Sequence, residues 1–120
     1  MYRREGLESI EVARRAAEIA SDKQASDIVL LDIRGLCDFA QFFVICSADT
    51  ERQMSTVLYE VEQQLGKDGI SPLHREGASD SGWVLLDYGD VIVHVFSSEA
   101  REYYRLERLW SGAVPVLRIQ

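Results

Sequence analysis

The run Trp83-Val84-Leu85-Leu86-Asp87-Tyr88-Gly89-Asp90-Val91-Ile92-Val93-His94-Val95-Phe96 constrains the fold more than any other part of the chain. Two β-rich stretches flank Gly89-Asp90, and that spacing is the signal for a tight two-residue hairpin. Turning there sets Tyr88 opposite Val91, Leu86 opposite Val93 and Val84 opposite Val95. Side chains alternate across a strand, so these six share one almost purely apolar face that should meet a core. The other face carries Trp83, Leu85, Asp87, Ile92, His94 and Phe96, with His94 diagonal to Asp87. An aromatic, a carboxylate and an imidazole together are unusual on a core surface. Two readings stay open. The face docks a protein, with aromatics as anchors and charges choosing the partner. Alternatively Trp83 packs under a helix and His94 is a core histidine bonded to Asp87. Asp90 is first of all a turn residue.

Around the hairpin the pattern alternates between helix and strand. From Leu7 to Lys23, Ile10, Ala13, Ala17 and Ala20 recur at helical spacing, and the alanines let a helix lie close on a neighbour. Ile28-Val29-Leu30-Leu31 and Phe42-Phe43-Val44-Ile45-Cys46 are short continuous apolar runs, as buried strands are. Thr50 with Gln53 three residues on is a capping-box signal, and Met54, Val57, Leu58, Val61 and Leu65 follow on one helical face until Gly69 stops it. Ser71–Arg75 is expected as a short strand and 76–82 as loop. Ser97 or Ser98 should cap a third helix with Glu99 in its first turn. Its apolar stripe would be Tyr103, Leu106 and Trp110, with Tyr104 and Leu109 beside it. Gly112 and Pro115 are expected to end regular structure, leaving 112–120 as a tail. The order predicts an α/β fold: one domain over 1–120, its core at about 8–111, with a mixed sheet of about five strands packed by helices.

Composition narrows the function classes. The chain has 120 residues, 47% hydrophobic and 28% charged, which suits one folded domain and argues against disorder. No apolar run is long enough for a membrane-spanning helix. The opening Met1-Tyr2-Arg3-Arg4-Glu5-Gly6 has no secretory apolar stretch, and early acidic residues do not suit an organelle transit peptide, so a cytoplasmic location is expected. Thirteen Lys and Arg against 20 Asp and Glu leave a net charge of −7. Nucleic-acid binding normally needs a basic surface, so no direct specific contact with nucleic acid is expected and a basic protein is the better partner. Two cysteines make neither a disulfide framework nor a zinc site; Cys46 should be a buried small hydrophobe, and Cys37 should sit in a loop.

Catalytic patterns are missing. Two-metal chemistry wants paired carboxylates at alternate positions of a strand, yet Asp87 and Asp90 are separated by the turn and Asp32 is followed two residues on by Arg34. The Ser47-Ala48-Asp49-Thr50 segment has no glycine to cradle phosphate, and His74 and His94 stand outside any Cys/His metal spacing. No serine sits on a nucleophile turn. No catalytic residue, metal or cofactor is expected.

The hairpin run, followed by Glu99, Arg101-Glu102-Tyr103-Tyr104-Arg105-Leu106-Glu107 and Leu109-Trp110, closely resembles the signature of the ribosomal silencing factor (RsfS, Iojap-like) family. The Ala25–Asp32 strand, Phe42 through Ser47 and the Thr50-Glu51-Arg52-Gln53 helix start resemble it as well, so the likeness runs from about Ile10 to Trp110. Ala48 departs from it, where relatives often carry glycine. The resemblance implies a nucleotidyltransferase-like fold without the catalytic carboxylates. It further implies docking on the large ribosomal subunit through the basic ribosomal protein L-fourteen, where it would sterically block small-subunit joining and so repress translation. A role in large-subunit maturation is also implied. Trp83, Asp87, Tyr88 and Asp90 are then the expected partner contacts, followed by Tyr104 and Glu107. A divergent nucleotidyltransferase-like enzyme and an acidic module for another basic protein are the alternatives, and a homodimer through the hairpin face is open.

Overall fold

A computed structural model describes residues 8–120; Leu7, where the sequence pattern starts the first helix, lies outside the described residues. Helix α1 spans Ser9–Asp22 and buries Val12, Ala13, Ala16, Ala17, Ile19 and Ala20. At its start the Glu11 carboxylate accepts from the Glu8 N–H at 2.8 Å, satisfying a donor that the helix itself leaves unpaired. Strands β1 (Ser26–Asp32) and β2 (Phe42–Ala48) follow, then helix α2 (Glu51–Lys67). Thr50 caps α2 by accepting from the Gln53 N–H at 3.0 Å. The Gln53 side chain returns the bond to the Asp49 N–H, at 2.8 Å, one residue before the position a capping box uses. The predicted stripe of Met54, Val57, Leu58, Val61 and Leu65 is the buried face. Gly69, at φ 81°, closes the helix in the left-handed conformation that glycine adopts without penalty, and the Ile70 N–H bonds back to Leu65.

Strand β3 (His74–Glu76) is three residues long and ends one residue later than expected. A single 3₁₀ turn, Ser79–Ser81, leads into β4 (Trp83–Asp87), which hairpins into β5 (Val91–Ser97). The register is the one expected, Val84 opposite Val95 and Leu86 opposite Val93, with the Tyr88 N–H bonding to the Val91 carbonyl at 2.8 Å. Ser97 is the cap of helix α3 (Ser98–Tyr104), accepting from the Ala100 N–H at 3.1 Å.

Two expectations need correction beyond this point. The third helix is not continuous to Trp110: Arg105 takes φ 48°, and a separate short helix α4 (Leu106–Leu109) starts in a new direction. Leu106 thereby turns into the core, whereas Tyr103 of the predicted stripe and Leu109 beside it are strongly exposed. Residues 114–119 are no tail but strand β6 (Val114–Ile119), antiparallel to β1. Pro115 does not forbid this strand, because β6 lies at the sheet edge and Pro115 sits at a register shift, two places where a missing N–H breaks no ladder.

The sheet therefore has six strands, not about five, in the order β3-β4-β5-β2-β1-β6, with β2 and β5 parallel and the other neighbours antiparallel. Alternation divides it into two faces. Leu30, Val44, Val84, Leu86, Tyr88, Val93 and Val95 meet α1 and α2 in the larger core. Val29, Leu31, Phe43, Ile45, Ile92 and Phe96 look the other way and are covered by α4 through Leu106, by Trp110 and by the β1–β2 connection through Ile33 and Ala40. This second layer is incomplete and leaves Trp83 and Leu85 half-buried at the β4 end.

Candidate functional site

On the incompletely covered face, Trp83 pairs with Phe96, Leu85 with His94 and Asp87 with Ile92 across the β4–β5 ladder. The Trp83 indole stacks on Phe96 with ring centroids 4.9 Å apart, and Tyr104 from α3 packs against it at 4.8 Å. The Trp83 Nε1–H donates to His94 Nδ1 at 3.2 Å. One hydrogen bond thus fixes both the tilt of the indole and the tautomer of the imidazole, whose proton must sit on Nε2. His94 is 4% exposed, and burial pushes its pKa down to about 3. The ring is neutral, packed edge-on with Phe43 at 4.6 Å between ring centroids, and Nε2 has no hydrogen-bond partner among the described residues. The diagonal His94–Asp87 pair allowed by the sequence is not formed. Trp83 occupies the acceptor nitrogen instead.

Tyr104 is 47% exposed and Tyr103 beside it 81% exposed, their rings 5.0 Å apart at right angles. Trp83, Tyr104 and Tyr103 make one aromatic ridge rising from a supported base to open solvent. A hollow of about 190 Å³, lined by Glu76, Gly77, Trp83 and Leu85, lies at its foot.

The other expected contacts separate. Asp87 is on the same face as Trp83 but four residues along the strand, roughly 13 Å away, and its carboxylate accepts from the Gly89 N–H at 2.8 Å within the turn. Asp90 points toward α1 and accepts from the Ser9 hydroxyl at 3.0 Å, while its carbonyl accepts from Gln41 and Phe42. Tyr88 must be corrected: it is 0% exposed in the helix-covered core, so no partner can touch it in this fold. Burial there raises its hydroxyl pKa, and the hydroxyl has no hydrogen-bond partner among the described residues. Glu107 lies beyond the far side of α3, where Arg101 Nε donates to it at 2.8 Å and Arg101 Nη1 reaches the Ser47 hydroxyl at 2.8 Å. Burial pushes the Glu107 carboxyl up, but the Arg101 hydrogen bonds and charges of Arg101 and Arg118 outweigh it and leave the pKa below its ordinary value. Sequence patterns did not single out Arg101 or Ser47; the only signal was an arginine one helical turn after the cap.

Among the described residues no three His, Cys, Asp or Glu side chains converge as a metal site would require. Asp32 is engaged by Arg34, at 2.7 Å, whose hydrogen bond holds its carboxyl below the usual range. Cys46 is fully buried and its thiol is pushed up to about 12, so it is a packing residue.

An aromatic ridge on the half-covered face of a six-stranded mixed sheet defines the class: a small α/β domain with a supported row of aromatic rings exposed on one face. Comparison with known proteins narrows it. The family model described as "Ribosomal silencing factor during starvation" matches residues 7–120, and the chain belongs to that family. It is 39% identical over 102 residues to the ribosomal silencing factor RsfS of Bacillus subtilis, covering 85% of this chain and 86% of that protein. The chloroplastic protein Iojap of Zea mays is 31% identical over 109 residues, covering 91% of this chain and 47% of that longer protein. A crystal structure of a Chromobacterium violaceum protein superposes with a TM-score of 0.84 at 32% identity, covering 95% of both chains. One from Bacillus halodurans superposes with a TM-score of 0.76 at 36% identity, covering 85% of this chain and 95% of that one.

Proposed function

We propose that this protein represses translation by docking on the large ribosomal subunit, through the basic ribosomal protein L-fourteen, and blocking small-subunit joining by occupying its place. The observation that carries the docking reading is the Trp83–Tyr104–Tyr103 ridge, held in place by the His94 hydrogen bond and the Phe96 stack. Preorganised aromatics lose little side-chain entropy on binding, and this makes them anchors. The family name supports a ribosomal target, and the net charge of −7 supports a basic one. Glu76 lines the hollow at the foot of the ridge and Asp87 lies farther along the same face, and both would choose a basic partner's register; Asp90 and Glu107 serve the fold first. The reading involves no catalysis and places the protein with the ribosomes in the cytoplasm. No helix among the described residues is long and apolar enough to cross a membrane.

Sedimentation of the protein with isolated subunits, followed by a subunit-joining assay, tests the proposal. Binding to the large subunit alone, with joining blocked, is expected. Trp83→Ala should weaken that binding by about 2 kcal/mol, roughly 30-fold, while the variant still melts cooperatively. Undiminished affinity in a folded Trp83→Ala protein would remove Trp83 as the anchor, and binding to neither subunit would remove the ribosomal reading. A concentration-dependent dimer that buries the ridge would point to self-association instead.

A further inference from the structure

The chain is acidic as a whole, but its arginines are not evenly spread. On the far side of α3 from the aromatic ridge, a cleft of about 440 Å³ draws four of them, Arg101, Arg105, Arg108 and Arg118, to one place. Arg101 is committed to Glu107 and Ser47, and Arg105 to Glu102. The side chains of Arg108 and Arg118 make no hydrogen bond or ion pair with any described residue, although the charge of Arg118 is felt by Glu107, so two exposed guanidinium groups face the cleft with their donors unused. Arg118 lies opposite Val29 in the β1–β6 register and so shares the sheet face that carries Trp83. Ridge and cleft thus open on one side of the molecule, with α3 between them.

We propose that this cleft binds the sugar–phosphate backbone of RNA, gripping successive phosphodiesters with Arg108 and Arg118. It builds on the docking reading, adding an RNA contact beside the protein contact. Guanidinium is the side chain whose flat fork matches phosphate oxygens. The charge count favours a diester over a free polyphosphate. Four arginines face Asp27, Glu102 and Glu107, leaving the cleft at about +1 with two arginines free to take one singly charged phosphodiester each, too little to balance the several charges concentrated on a nucleotide tail. The open shape suits a strand running through, and no aromatic side chain lines it to stack a base, so the contact is to backbone and carries no sequence preference. The remaining charge of the molecule repels RNA, so the cleft is weak alone and effective once the ridge is docked, when the phosphates are held at high local concentration.

Two measurements test this. In NMR titrations of the free protein at low salt, the Arg108 and Arg118 side-chain Nε–H signals should shift saturably with a ten-residue oligouridylate. Polyglutamate or adenosine triphosphate should shift them little. No response to the oligouridylate overturns the proposal; a polyglutamate response of equal size points to an acidic protein segment, and a tighter response to the triphosphate points to a free nucleotide, and both overturn it. On large subunits, the R108A/R118A double variant should bind about tenfold more weakly at low salt. The slope of log affinity against log salt should shrink by about two, one for each phosphate that is no longer gripped. An unchanged affinity and slope in a protein that melts normally overturns the proposal while leaving the docking reading intact. Failure of the wild-type protein to bind the subunit overturns the docking reading alone, and the titration then still decides the cleft.

Discussion

His94 carries a pH prediction because its neutral state is built into the face that bears the aromatic ridge. Its pKa is held near 3 by burial, against about 6.5 in an unfolded chain. Between those values the unfolded chain binds a proton that the folded one refuses, so stability is full above pH 6.5 and falls as the pH drops toward 3. The slope contributed is at most about 1.4 kcal/mol per pH unit. Wild type should lose roughly 1–2 kcal/mol more than His94→Gln between about pH 7 and pH 5, a window above most carboxylate titration. Urea melts at the two pH values measure this, and parallel losses would show that another group governs the acid limb. At this scale the sequence was half legible. That the Trp83-bearing face differed from a core face was visible in its composition, but the partner of His94 was not, because a cross-strand diagonal and a neighbouring indole compete and only packing ranks them. Tyr88 was misjudged for a related reason: periodicity places it on the core face, and the resemblance alone makes it a contact.

At the scale of elements, two glycines that look alike in sequence should respond oppositely to a methyl group. Gly77, between β3 and the 3₁₀ turn, takes φ 95°, and a Cβ there would stand 2.3 Å from the backbone oxygen of Trp83. Gly77→Ala must move the start of β4 and with it the ridge, and should cost at least about 2 kcal/mol of stability. Gly66 lies in the last turn of α2 with open space where its Cβ would go. Gly66→Ala should stabilise by about 0.5–1 kcal/mol through helix propensity and reduced unfolded-state entropy. Thermal melts of both variants check the pair, and a neutral Gly77→Ala would mean that the loop yields easily. Helix α2 was legible to the residue because cap, stripe and stop agree. The α3–α4 break was not, because Tyr103, Leu106 and Trp110 keep helical spacing across Arg105 and nothing in an arginine announces φ 48°.

At the scale of the whole molecule, the consequential element is β6. Truncation after Gly112 would remove the antiparallel partner of β1 and leave an apolar strand of Ile28, Val29, Leu30 and Leu31 as a free edge. Such a variant should melt at least several degrees lower and associate into larger species on size-exclusion chromatography. A truncated chain that melts as the full chain does and stays at its original size would return 112–120 to the status of a tail.

What the sequence determined by itself is the part governed by neighbours along the chain. Helical stripes, caps, the hairpin register and the two-faced character of β4–β5 follow from side-chain periodicity and turn chemistry, which are local. The tertiary structure alone decided where β6 pairs, which residue accepts the Trp83 N–H, and that arginines from α3, α4 and β6 converge on a cleft while the chain as a whole is acidic. Those outcomes join residues that are neighbours only in the folded state. Net charge and composition average over the molecule, whereas hydrogen bonds and electrostatic contacts act over a few ångströms.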